Sequence, residues 1–295
     1  MTNYSNRKNI SLTDLSQTLE GETTILDKFR YIEGRRFHNV QDVVYCFPCD
    51  KQEINCMVLS HILYKNHWKS NFSSPIYERL NFTGTRVLDV GCGSGIWTIE
   101  MANDYPKTTF LGIDISSVFP IEDRPCNAGF LEHNILDGLP FPAATFDCVF
   151  QRNMFAAYTD ANWLNTVEEL VRVTKPNGFI EFMENDIEFR NQGPVSRRIN
   201  NTENSQNITD VTHQQIKMAV GGWGGENGDK LRRILVSNLG SLKPMIKLSL
   251  GIEDTEWESL ALDYNLEVET YKTYITSHRI YARKGTSCIV QIPVD

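Results

Sequence analysis

Two carboxylates and three glycines lie where a ligand could bind. Residues 86–95 read Arg-Val-Leu-Asp-Val-Gly-Cys-Gly-Ser-Gly, with Asp89 inside an apolar run and glycines at Gly91, Gly93 and Gly95. The apolar run suits a strand buried on both faces, and an apolar stripe at helical spacing follows the glycines. Glycines let a backbone approach a ligand closely, and a helix start offers free N–H groups. The pattern predicts a strand, turn and helix of the kind that binds nucleotides.

The glycine spacing distinguishes two classes of cofactor. A dinucleotide fingerprint would place its third glycine at Ile96, whereas this chain has Gly95. A buried Asp89 needs a cationic or donor partner and would be a poor neighbour for a pyrophosphate. Asp114 follows Gly95 by nineteen residues and ends the next predicted strand, where a carboxylate binds a ribose diol. A ligand with an ammonium and a ribose but no phosphate is S-adenosylmethionine, which is the predicted cofactor.

This stretch resembles the first motif of class I S-adenosylmethionine-dependent methyltransferases. Other segments resemble a fungal family of small methyltransferases that includes the LaeA-like regulators of secondary metabolism. These segments are Gly34–Asn39, Asn71–Pro75, Leu139–Pro142, Phe150–Arg152, Lys175–Gly178 and Trp223–Gly225. The resemblance runs from roughly residue 30 to the last residue. It implies an α/β fold, a doubly wound and mostly parallel seven-stranded sheet with an N-terminal helical cap.

The resemblance also implies which residues bind the cofactor. Asp89 and the glycine turn would surround the methionine portion, Asp114 would bind the ribose hydroxyls, and Ile115 would pack on the adenine. Asn134 would bind the adenine amino group; its alternative role is to cap a loop. Gln151 follows the fourth strand, at the carboxyl end of the sheet where ligands bind. The predicted cofactor set is Asp89, Gly91, Cys92, Gly93, Asp114, Ile115, Asn134, Ile135 and Gln151.

No catalytic residue is assigned. The sulfonium is already a strong leaving group, so the protein mainly positions two reactants and supplies a base only for a protonated nucleophile. Candidates near strand ends are Arg152, Tyr158, Glu184 and His133, and each has a purely structural alternative. Clustered acids that could hold a metal near the donor methyl are lacking, so a metal-assisted mechanism is rejected.

A run of cysteines and histidines contains the ligand types of a zinc site. Cys46-Phe-Pro-Cys49 is followed by Cys56, His61 and His67. The last three fall on one predicted helix and do not converge at an obvious spacing. We interpret the cysteines as free thiols and predict no metal.

Composition excludes several classes of protein. The chain has 295 residues and a net charge of −8, which argues against general nucleic-acid binding. No apolar run is long enough to span a bilayer, and the polar first residues do not resemble a secretory signal. Seven scattered cysteines suit a reducing compartment, so we expect a cytoplasmic or nuclear protein. The expected partners are an unidentified methyl acceptor and other proteins.

The chain divides into four predicted parts. Residues 1–28 are expected to be a disordered tail, 29–80 a helical cap, 81–184 the cofactor-binding core, and 185–295 the C-terminal part of the same domain. Within the cap, 53–68 is predicted to be a helix. Its apolar face should cover the cofactor or simply pack on the core, and the residues of that face are Ile54, Val58 and Ile62.

Strands and helices are expected to alternate through the core. The predicted strands are 86–90, 109–113, 129–133, 146–150, 178–183, 213–220 and an antiparallel last strand at 272–283. The polar stretch 191–210 is shorter than the helical segment that the resembling family has there. Its lack of an apolar stripe predicts an open substrate cleft beside Gln151, Glu184 and Trp223.

Three functions remain open from sequence. The first is an enzyme that methylates a small molecule or a protein. The second is a LaeA-like regulator that binds S-adenosylmethionine with little or no catalysis of its own. The third, a dinucleotide oxidoreductase, is disfavoured by the glycine spacing.

Overall fold

A computed structural model describes residues 24–26, 29–40, 45–186, 189–191 and 212–285. The predicted tail at 1–28 lies almost wholly outside these ranges, and so does the predicted open segment 191–210. Within the described ranges, no helix is both long enough and apolar enough to cross a bilayer.

The N-terminal part combines a small sheet with one helix. Strands β1 (Thr24–Leu26), β2 (Phe29–Ile32) and β3 (Arg35–His38) pair antiparallel in chain order. Helix α1 (Lys51–Trp68) follows, and its first turn is capped by Asp50, which accepts a hydrogen bond from the Glu53 N–H. The sequence predicted the helix but not the three strands.

A seven-stranded sheet forms the centre of the molecule. The strands are β4 (Arg86–Val90), β5 (Thr109–Asp114), β6 (Ala128–Glu132), β7 (Phe146–Arg152), β8 (Thr174–Asn185), β9 (Thr212–Ala219) and β10 (Tyr274–Arg283). Their order in the sheet is β6-β5-β4-β7-β8-β10-β9, and β10 runs in the direction opposite to the other six. This topology confirms the predicted doubly wound, mostly parallel sheet, and each predicted strand is present.

Helices cover both faces of the sheet, which buries its apolar residues in two clusters. After α1, the helices are α2 (Ile96–Asp104), α3 (Asp160–Val173), α4 (Gly225–Ser241), α5 (Lys243–Leu250) and α6 (Asp254–Thr270). One cluster packs α3 against β4, β5 and β7 through residues such as Leu170, Leu88 and Val149. The other cluster joins the sheet to the remaining helices and includes Tyr64 and Tyr264. Two-sided burial explains why the central strands read as almost continuous apolar runs.

The orientation of α1 differs from the prediction. Ile62, expected on the covered face, is 43% exposed, whereas Leu63 is fully buried. The buried face also carries two polar residues, Glu53 and His61. Ile54 and Val58 of the predicted face are half-buried, so the prediction is wrong at Ile62 and misses the buried polar residues, which an apolar-stripe argument counts as solvent-facing.

Candidate functional site

The glycine turn is held against the neighbouring strand by backbone hydrogen bonds. The N–H groups of Gly91 and Cys92 both donate to the Ile113 carbonyl, at 2.8 and 3.1 Å. Gly91 and Gly93 have φ values of +68° and +52°, in the left-handed region that favours glycine. The turn therefore takes a shape that residues with side chains would strain.

The space above two of the glycines is occupied by thioethers. A Cβ at Gly91 would collide with the Sδ of Met154, and a Cβ at Gly93 would lie 2.9 Å from the Sδ of Met57. A Cβ at Gly95 would instead lie 2.6 Å from the Phe130 ring, so this third glycine serves internal packing. Both contacting groups are the ends of flexible methionine side chains.

Asp89 is the buried carboxylate of the site. It is 4% exposed, and its Oδ2 accepts a hydrogen bond from the Thr98 hydroxyl at 2.6 Å. Burial raises the pKa of Asp89 to about 6, against the opposing effects of Thr98 and of the nearby Arg152 cation. A ligand ammonium beside Asp89 would favour its ionised form.

Asp114 ends β5 and connects that strand to the glycine turn. Its two carboxylate oxygens accept hydrogen bonds from the N–H of Gly93 at 2.8 Å and of Ser116 at 3.0 Å. Burial raises the pKa of Asp114, and these backbone donors oppose the shift. Cys92 is buried and Ile115 is half-buried beside these carboxylates. The structure thus brings Asp89, the turn and Asp114 to one edge of the sheet.

Two of the remaining predicted cofactor residues, Asn134 and Ile135, follow β6. The Asn134 side-chain oxygen accepts from the Leu136 N–H at 3.1 Å, which caps a short 3-10 helix at Ile135–Asp137. Ile135 packs against the apolar cluster beneath α3. Asn134 has its capping role in this structure, and adenine contact by either residue stays a prediction.

Gln151 is fully buried at the end of β7. Its Oε1 accepts a hydrogen bond from the Tyr158 hydroxyl at 3.2 Å. Among the described residues, the Gln151 Nε2 has no hydrogen-bond partner, and neither have the hydroxyls of Ser94 and Ser116. Ser94 is in the glycine turn and Ser116 follows Asp114. Unpartnered polar atoms around the turn fit a polar ligand such as S-adenosylmethionine.

The candidate bases all have structural partners. His133 Nε2 contacts the Gly138 carbonyl at 2.7 Å, and Tyr158 donates to Gln151. Glu184 accepts from the N–H groups of Met154 and Phe155, at 2.9 and 3.3 Å. Burial raises the pKa of Glu184 to about 8, against the opposing effects of these two N–H groups and of Arg152. No residue is thereby singled out as a catalytic base.

Sequence reasoning missed the contributions of three residues. Met57 and His61 come from α1, and Met154 from the loop after β7. Met154 could have been found from its position three residues after Gln151, at the ligand-binding edge. Nothing local to α1 indicates that Met57 reaches the glycine turn.

Across the part of the chain that the structure describes, no three His, Cys, Asp or Glu side chains are placed to share a metal ion. The cysteines within these ranges form no disulfide bonds with one another.

Comparison with known proteins shows what the chain is similar to. Residues 87–178 match the family described as a methyltransferase domain. The chain is 28% identical over 158 residues to the secondary metabolism regulator laeA of Aspergillus fumisynnematus, covering 53% of this chain and 41% of that protein. It is 34% identical over 104 residues to the protein-methionine methyltransferase laeA of Emericella nidulans, covering 35% of this chain and 27% of that protein.

Residues 87–178 match a methyltransferase domain, and part of the chain is similar to LaeA proteins. This match confirms the predicted fold and S-adenosylmethionine as the cofactor of the domain. The chain spans less than half the length of these two relatives.

A solved structure shows a more distant likeness. Phosphoethanolamine N-methyltransferase 2 of Haemonchus contortus, in complex with S-adenosyl-L-methionine, aligns with a TM-score of 0.49 and 12% identity. The alignment covers 96% of this chain and 75% of that one. At this score the likeness adds nothing to what the strand order establishes.

Proposed function

We propose that this protein binds S-adenosylmethionine at the glycine edge and transfers its methyl group to an acceptor. The observation that supports this most directly is the hydrogen bond from the Gly93 N–H to Asp114. It places the carboxylate of β5 against the turn that follows Asp89, so groups for a ribose and an ammonium share one edge. A dinucleotide would bring its pyrophosphate to a turn flanked by two carboxylates, which is unfavourable.

The chain's own residues would mainly position the reactants. Asp89 binds the ammonium of the cofactor, and Asp114 accepts from the ribose hydroxyls. Ile115 packs on the adenine, and the unpartnered Nε2 of Gln151 donates to the bound cofactor. The cofactor supplies an activated methyl group, so holding the acceptor in line is the main remaining task.

Cofactor binding requires Met57 and Met154 to leave the glycines. Both thioethers occupy the surface of the turn that the methionine portion would contact. Because Met57 belongs to α1, its displacement would couple the N-terminal helix to the presence of cofactor.

A protein side chain is the first acceptor to test. One relative is named a protein-methionine methyltransferase, and it is 34% identical over 104 residues. A small-molecule acceptor remains the other form of this proposal. Protein partners, and a cytoplasmic or nuclear location where free thiols stay reduced, belong to the same proposal.

The second candidate function is a regulator that binds the cofactor but catalyses little or no transfer. Two observations favour it: a relative is named a secondary metabolism regulator, and the candidate bases are all engaged in structural contacts. In this alternative, cofactor binding displaces Met57 and changes the surface around α1.

Cofactor binding is tested by calorimetry with S-adenosylmethionine and, separately, NAD. We expect binding of the first ligand alone. Asp114→Asn should weaken it by about 2–4 kcal/mol, since charge-assisted hydrogen bonds to the ribose are lost. Asp104→Asn is the matched control, because Asp104 is exposed at the far end of α2. Equal affinities in the two variants would remove Asp114 from the site.

Catalysis is tested with cofactor labelled on its methyl group and a cell extract. Label in protein, absent with Asp114→Asn, supports an enzyme acting on a protein. Label only in the small-molecule fraction supports the other acceptor class. Tight cofactor binding with no transfer to any fraction would favour the regulator.

A further inference from the structure

Arg152 ends β7 beside the glycine turn, where its guanidinium would be stabilised by an anion. The side chain is half-buried, and burial lowers the pKa of the guanidinium. The carboxylates of Asp89 and Glu184 are near enough to act in the opposite direction. Among the described residues, however, no carboxylate forms an ion pair with Arg152 within 4.0 Å. A partly desolvated cation of this kind is stabilised when a ligand supplies the anion.

The guanidinium is held by a neutral side chain. Arg152 Nη1 donates to the Nδ1 of His61 at 3.2 Å. His61 is 2% exposed, and burial, followed by the charges of Arg152 and Lys65, lowers its pKa to about 3. The imidazole is therefore neutral at physiological pH, and an acceptor Nδ1 leaves the proton on Nε2.

The far side of His61 is fixed by a second contact. Its Nε2 meets the carboxylate of Glu100 on α2, and that carboxylate also pairs with Lys65. The guanidinium carbon lies 5.8 Å from the centre of the Tyr64 ring. Residues of α1 and α2 together orient Arg152 without neutralising it.

The two charges at this edge match a zwitterion. Asp89 supplies an anion and Arg152 a cation, on the adjacent strands β4 and β7. An amino acid carries an ammonium and a carboxylate on one carbon, and the methionine portion of the cofactor has both. A neutral ligand, or one with an ammonium alone, would leave Arg152 unpaired.

We propose that Arg152 binds the carboxylate of the methionine portion of S-adenosylmethionine, and that His61 is the positioning residue that holds its guanidinium. This inference rests on the proposed cofactor site and adds the group that recognises the amino acid. It also assigns a role to α1, which delivers His61 from outside the matched domain.

Two ligands test the inference by calorimetry. S-adenosylhomocysteine keeps the whole amino acid, whereas decarboxylated S-adenosylhomocysteine keeps the ammonium and lacks the carboxylate. Arg152→Gln should weaken the first ligand about 10- to 100-fold, as expected for a lost charge-assisted hydrogen bond. It should change the affinity for the second ligand by no more than about twofold, since that ligand has no carboxylate for Arg152 to bind. Arg79→Gln is the matched control, because Arg79 lies near the opposite edge of the sheet and contacts Asp147.

The outcomes separate this inference from the proposed function. Wild-type protein that binds neither ligand overturns both. Wild-type binding with equal weakening of the two ligands by Arg152→Gln shows that the residue acts through the fold, and overturns the inference alone. Unchanged affinity for S-adenosylhomocysteine does the same. Arg152→Lys keeps the charge and should lie between wild type and Arg152→Gln, which covers the case that glutamine impairs folding.

The positioning role of His61 is tested by the same ratio of affinities. His61→Leu removes the acceptor for Arg152 and should lower the preference for the carboxylate-bearing ligand. His61→Gln can still accept and donate, so it should restore part of that preference. A merely structural effect of His61 would weaken both ligands together and leave the ratio unchanged.

Discussion

The cofactor edge and the β9–β10 edge of the same sheet are assembled from contacts of different range. At the cofactor edge, defined by Asp89, the glycine turn and Asp114, the bond between Asp89 and Thr98 joins residues nine positions apart. At the β9–β10 edge, defined by Asp186, His213 and His278, His278 contacts Asp186 at 2.9 Å across 92 positions. One strand, turn and helix, together with the next strand, therefore form the part of the first edge that Asp89, the glycine turn and Asp114 define. The second edge exists only when the complete sheet has formed.

Burial also differs between the two edges. Asp89 is 4% exposed, and burial raises its pKa to about 6. At the other edge, His213 is exposed and its Nε2 lies 2.7 Å from the Nδ1 of His278, with the rings stacked. Water can replace contacts at the exposed edge but not at the buried one. The cofactor edge should accordingly tolerate little change, and the β9–β10 edge should tolerate more.

The largest expected effect is at the glycine turn. Gly91→Val should abolish binding of S-adenosylmethionine, because the new side chain would occupy the surface of the turn that the methionine portion would contact, and it would need a φ of +68°. Gly84→Val is the matched control, since Gly84 has a φ of +90° but open space around its Cβ position. Calorimetry and circular dichroism on both variants separate lost binding from backbone strain. Equal loss in the two would show that strain, and not the site, is responsible.

The next effect concerns the helix that supplies Met57 and His61 to the cofactor edge. Leu63→Ala should lower the free energy of unfolding by about 2–5 kcal/mol, because it empties a fully buried position. Ile62→Ala should change it by less than about 0.5 kcal/mol, because Ile62 is 43% exposed. Urea unfolding of the pair measures the difference. A larger loss of stability in Ile62→Ala than in Leu63→Ala would show that Ile62 lies on the buried face, as the apolar pattern predicted.

A smaller effect is the dependence of cofactor affinity on pH. The pKa of Asp89 is raised from 3.8 to about 6 in the fold, so its ionisation destabilises the unliganded protein as pH rises through this interval. The cofactor ammonium needs the ionised form, and affinity should fall about tenfold per pH unit below 6. Calorimetry between about pH 5 and about pH 8 should show that cofactor affinity depends less on pH in Asp89→Asn than in the wild type. An unchanged slope in the variant would assign the titration to another group.

The smallest effect is expected at the β9–β10 edge. His278→Ala removes contacts to Asp186 and His213, both partly open to solvent, and should cost less than about 1 kcal/mol of stability. Cofactor affinity should stay within about twofold of wild type. Titration with S-adenosylmethionine checks this. A large loss of affinity would mean that the β9–β10 edge and the cofactor edge are energetically coupled.

The sequence by itself determined the sheet and the cofactor edge. Period-two and continuous apolar runs located each of the seven strands within a few residues, because burial on a sheet leaves a local pattern. Asp89, the glycine turn and Asp114 were likewise readable, since strand geometry places their backbone within bonding distance of one another. The three N-terminal strands left no comparable pattern.

Only the tertiary structure decided which residues from distant elements complete the site. The contact from His61 to Arg152 spans 91 positions, and Met57 reaches Gly93 from a helix whose buried face the apolar pattern misplaced. A polar residue such as His61 looks solvent-facing until the partner that satisfies it arrives from another element. Long-range pairing of polar groups has no periodicity along the chain, and this is why it became visible only in the folded molecule.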